Sequence, residues 1–60
     1  MDKVAIHEGN AVAYLCDLGV SRLEARRVLS DCPIASSFGG ADYYYPKDLH
    51  KAADSYLADA

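Results

Sequence analysis

No stretch of this chain approaches the roughly 20 apolar residues that a helix needs to cross a bilayer, which excludes a helical membrane span. An export signal is not expected either. Asp2 and Glu8 bracket a very short apolar run, too little for the core of a signal peptide. The expected compartment is the cytoplasm of a bacterial or phage-infected cell. Cysteine is scarce, with only Cys16 and Cys32. A chain without an export signal is normally kept reduced, so both are read as free, buried thiols. His7 and His50 complete a two-cysteine, two-histidine set in name only, because zinc ligands come in closely spaced pairs and none occurs here. No metal and no cofactor is expected. Nucleophile elbows and phosphate-cradling glycine loops are likewise absent.

A basic surplus is also lacking. Six Lys and Arg face nine Asp and Glu, for a net charge of −3. Nucleic-acid binders usually carry an excess of the other sign, so the distribution of charge must decide. What the chain does have is apolar content: 52% of its residues are hydrophobic and its charges are mixed rather than blocky, which favours a folded chain. Its 60 residues make one domain, 1–60. A domain of that length buries only about 60% of its extended surface, which leaves little room for a catalytic cleft. An enzyme is the least expected class.

Val4 and Ile6 alternate around Ala5, a short strand or extended entry. Residues 10–18 read as a helix: Ala11, Leu15 and Leu18 recur at helical spacing and Val12 widens the stripe. Asn10 is a candidate N-cap, with Glu8 or His7 as earlier starts. Gly19 ends this helix. Ser21-Arg22-Leu23-Glu24 fits the capping box that opens a second one. Leu23, Val28 and Leu29 are expected on its apolar face, and Cys32-Pro33 ends it. A link as short as Gly19-Val20 makes two helices cross steeply, as in a helix-turn-helix.

Residues 34–45 read as a β-hairpin. Its arms are Ile34–Phe38 and Tyr43–Tyr45, and its loop is Gly39–Asp42. Pro46 suits the first turn of a last helix. Leu49, Ala52, Ala53, Tyr56 and Leu57 form the expected buried stripe of that helix. Tyr43 and Tyr45 point to one side of their strand and Tyr44 to the other. A nucleophilic tyrosine would need arginine and histidine partners around a scissile phosphate, and no such set is visible.

The order helix, tight turn, helix, hairpin, helix is that of a winged helix-turn-helix: mainly α, with three helices and a small β-hairpin wing. Four short motifs carry a family likeness. Leu18-Gly19-Val20-Ser21 resembles the turn before the recognition helix in excisionases, AlpA-like regulators and MerR-type domains. Cys32-Pro33-Ile34 resembles the exit into the wing, and Gly39-Gly40 the wing tip. Tyr44-Tyr45-Pro46-Lys47-Asp48-Leu49 is similar to the return strand and the start of the closing helix.

The resemblance implies that the second helix enters the major groove of double-stranded DNA. Ser21, Arg22, Ala25 and Arg26 would then face the DNA. Arg27 would bind phosphate or shield the flank, and Ser36, Ser37, Gly39 and Gly40 would be the wing contacts. Three of the six basic residues (Arg22, Arg26 and Arg27) lie on this one helix. Arginine can fork onto guanine or clamp phosphate.

The wing departs from the family pattern. Relatives usually carry a cation beside the tip; this chain has Ser36-Ser37-Phe38 before it and Ala41-Asp42 after it. Phe38 is expected to pack on the core or touch a protein. Three arginine–phosphate contacts give a shallow anchor, losing about forty-fold in affinity between 50 and 200 mM salt. Self-association or cooperative binding on DNA is therefore expected. The expected function is that of a sequence-specific DNA-binding accessory protein, either an excisionase-like recombination directionality factor or a small phage or prophage transcriptional regulator. The alternative is a protein-interaction module on the same scaffold, binding an integrase, a polymerase or a host factor.

Overall fold

The computed structural model describes residues 4–59; Asp2, used above to bound the first apolar run, lies outside them. Three helices and a small antiparallel sheet follow in the order β1 (Ile6–His7), α1 (Glu8–Asp17), α2 (Arg22–Ser30), β2 (Ser36–Phe38), β3 (Ala41–Tyr44) and α3 (Pro46–Asp59). The expected hairpin is present, and β1 adds a third strand on its far side, giving the sheet order β1-β3-β2.

The first helix starts at Glu8 because His7 caps it. The His7 Nδ1 accepts from the Gly9 N–H at 3.1 Å, so Asn10 lies inside the helix. Glu8 in the first turn complements the helix dipole. The C-terminus closes as a full Schellman motif. The Gly19 N–H donates to the Cys16 carbonyl and the Val20 N–H to that of Leu15, at 3.1 and 3.0 Å. This needs a positive φ at Gly19, observed at 107°. Leu15 and Val20, the apolar pair that accompanies such a motif, are both buried.

Ser21 is the N-cap of α2, but the capping box does not form: its side chain makes no cap hydrogen bond. The Ser21 carbonyl instead accepts from the Glu24 and Ala25 N–H groups, at 3.0 and 2.8 Å. Glu24 turns forward to Arg27 rather than back to Ser21. The buried side of α2 also differs from expectation. Ala25, Val28, Leu29 and, just beyond the helix, Cys32 enter the core, whereas Leu23 is 93% exposed. The spacing explains this. Positions 25, 28, 29 and 32 form one helical stripe, and position 23 lies far around the cylinder from it.

The hairpin turn is tighter than expected. Gly39 and Gly40 alone make it, with φ of 60° and 80°, while Ala41 and Asp42 belong to β3. Two positive φ values are what a two-residue type I′ turn demands. Phe38 pairs with Ala41 and Ser37 with Asp42. Tyr44 points inward and is buried. Tyr43, on the other face, meets its cross-strand partner His7 edge-on with ring centroids 5.5 Å apart. Tyr45 lies past the strand, where its carbonyl accepts from Asp48 and Leu49 and opens α3.

The core gathers Ala11 and Leu15 of α1, the α2 stripe, Tyr44, and Leu49 and Ala53 of α3. Ala52 and Tyr56, expected to be buried, are half-buried and pack against it, while Leu57, also expected to be buried, is exposed and rests near Gly19. Of the two thiols, Cys32 is buried and Cys16 only half-buried. No helix among the described residues is long and apolar enough to cross a membrane.

Candidate nucleic-acid interface

Helix α2 packs against α1 and α3 through the Ala25, Val28 and Leu29 stripe. That leaves the opposite arc to solvent. Arg22, Leu23, Arg26, Arg27 and Ser30 are all exposed on it. At about 100° per residue, Arg22 and Arg26 form one edge of the arc, Leu23 and Ser30 the middle, and Arg27 the other edge. Ser21 is exposed at the N-terminal end. Ala25 is the exception among the expected contact residues. It is 0% exposed, because a methyl at the centre of the buried stripe packs inside, so it offers nothing to a ligand.

Charge on this arc is available. Among the described residues the one ion pair joins Arg27 to Glu24 at 3.8 Å, and the Arg27 side chain remains 81% exposed. Such a pair is screened by water and is weak. Arg22 and Arg26 make no ion pair among the described residues. Arg26 borders a hollow of 220 Å³ lined by His7, Glu8, Gly9, Val12 and Leu29. Ser30 is tied back to its own helix, its hydroxyl donating to the Arg27 carbonyl at 2.7 Å.

The expected wing residues group on the hairpin rather than on α2. Ser36 and Ser37 are exposed on β2, and Gly39 and Gly40 form the tip with open space around them. The Ser37 hydroxyl donates to the Asp42 carboxylate at 2.8 Å, so its donor is committed. Phe38 is 79% exposed, which overturns its expected packing on the core: it flanks the two-residue turn at the end of the hairpin.

Two features were not foreseen. One is Leu23, whose exposure was encoded in the 25-28-29-32 stripe that excludes it. The other is a cleft of 520 Å³ between α2 and α3, where Glu24, Asp31 and Asp59 outnumber Arg27. Only the packing of the two helices brings these carboxylates together. Among the described residues no group of three or more His, Cys, Asp or Glu is arranged to hold a metal ion. His50 instead bonds Tyr14, Nε2 to Oη at 2.7 Å. Compared with models of protein families, with curated proteins and with solved structures, the chain matches none.

Proposed function

We propose that this chain is a DNA-binding accessory protein of winged helix-turn-helix type, acting as an excisionase-like recombination directionality factor or a small phage or prophage regulator. The observation that carries this reading is the uncovered arc of α2, where Arg22, Arg26 and Arg27 project together. A helix is the element that fits a major groove, and arginine is the side chain that serves both phosphate and guanine. In this reading the arc lies in the groove and the hairpin acts as the wing, reaching the backbone through amides rather than cations. The acidic cleft lies beside the Arg27 edge, so the Arg22–Arg26 edge is the one that approaches DNA most closely. With so few cations a single copy holds DNA weakly, and cooperative binding or a second protein supplies the rest.

A gel shift on duplex DNA in low salt tests this. Arg22→Ala with Arg26→Ala is expected to abolish the shift, and an unchanged shift refutes the proposed face. Both side chains are exposed, so the variant keeps its fold.

A second reading is favoured by the wing itself. Its tip carries an exposed Phe38, no cation, and Asp42 bonded to Ser37. A protein-interaction module binding an integrase, polymerase or host factor would use that tip, and Phe38→Ala would abolish the contact while sparing any DNA binding.

A further inference from the structure

Leu23 is the one large apolar side chain on the outward arc of α2, and at 93% it is the most exposed large hydrophobic residue among those described. It is not a frayed end: it sits in the first turn, with the arginine edges on either side of it. The elements that pack on α2 cover the opposite arc, so nothing among the described residues shields it. A surface that fits this ridge must be anionic along the Arg22–Arg26 edge and apolar in one small central spot beside it. The major groove has that layout, with a phosphate rail on each side and, on its floor, the C5-methyl group of thymine as the apolar feature.

We infer that Leu23 reads the C5-methyl group of a pyrimidine in the major groove, giving this protein a preference for thymine beside the bases or phosphates held by Arg22 and Arg26. The inference rests on the DNA-binding reading and deepens it, because arginine contacts to phosphate alone would carry no sequence information. 5-Methylcytosine presents the same methyl group and is distinguished from thymine by the test.

Duplexes are selected from a random-sequence library with the intact protein. Each thymine of the selected site is then replaced singly by deoxyuridine, which removes the methyl and nothing else. The wild type is expected to lose about fourfold in affinity at one thymine, the worth of one buried methyl-sized group. Leu23→Ala, which folds normally because its side chain lies outside the core, is expected to be indifferent to that replacement. If the methyl read is that of 5-methylcytosine, methylating one cytosine tightens the wild type by the same factor and leaves Leu23→Ala unmoved.

A flat response of the wild type at every pyrimidine overturns the inference. So does a methyl effect that persists in Leu23→Ala. If Leu23→Ala leaves duplex binding untouched, the inference fails. Absence of any duplex binding by the wild type sinks the DNA reading itself, an outcome distinct from binding that ignores methyl groups.

Discussion

Tyr14 on α1 and His50 on α3 join the first and last helices. Their Oη and Nε2 atoms lie 2.7 Å apart, and the rings meet edge-on at 85° with centroids 5.3 Å apart. Tyr14→Phe keeps the ring contact and removes the hydrogen bond. The expected loss is about 0.5–1 kcal/mol, within the usual range for one such bond. Thermal unfolding of the two proteins checks it, and an unchanged midpoint would assign the hydrogen bond no stabilising role.

Gly19 sets the corner between α1 and α2. A Cβ there would lie 3.7 Å from a Leu57 methyl, an ordinary contact, so space is not the constraint. The φ of 107° is. Gly19→Ala should therefore destabilise by roughly 1–2 kcal/mol through backbone strain. Leu57→Ala, at a largely exposed side chain, should cost less. Chemical denaturation ranks the two variants, and the reverse order contradicts this view of the corner.

Much of the fold was legible because local chemistry and packing agree. Gly19, Pro46 and the Gly39-Gly40 pair each demand the conformation they adopt, and Ala11 with Leu15 marks the buried side of α1. The failures have physical causes. Leu23 was assigned to the core by its hydrophobicity although its position on the helix opposes the 25-28-29-32 stripe. The capping box was read from residue types, yet Glu24 reaches Arg27 instead of its own N-cap. Within the candidate interface the three arginines were legible from their clustering. The burial of Ala25 follows from that same stripe and was missed because the family likeness placed it toward DNA; the acidic cleft depends on how α2 meets α3, which no local pattern contains.

Burial raises the pKa of two core groups. The Cys32 thiol is pushed up by desolvation and then by the nearby Asp48 charge. The Tyr44 phenol is pushed up by desolvation and then by Asp42, Glu8 and Cys32. Both are neutral when protonated, so the folded state holds its protons to higher pH than the unfolded state. Stability is thus full below the ordinary thiol range and falls as pH rises above about 8.5, with Tyr44 adding to the fall above about 10. Urea unfolding across this range checks the sign. Cys32→Ala should flatten the first part of the decline, and stability that rises with pH there would contradict the burial of Cys32.

On the hairpin, the charge of Asp42 would oppose an approach to phosphate. Asp42→Lys exchanges that repulsion for a cation and, in the proposed binding mode, adds one phosphate contact. Duplex affinity should rise, and the plot of log K against log salt should steepen by about 0.9. An unaltered affinity and slope would mean that the hairpin does not reach DNA.

The salt dependence of duplex binding tests the central claim most directly. Three phosphate-neutralising arginines predict a slope of about −2.7 for one bound monomer, and replacing either Arg22 or Arg26 alone by alanine should reduce it to about −1.8. A slope left unchanged by both single replacements, or no binding by the wild type even at low salt, would contradict the assignment of α2 as the DNA-facing helix.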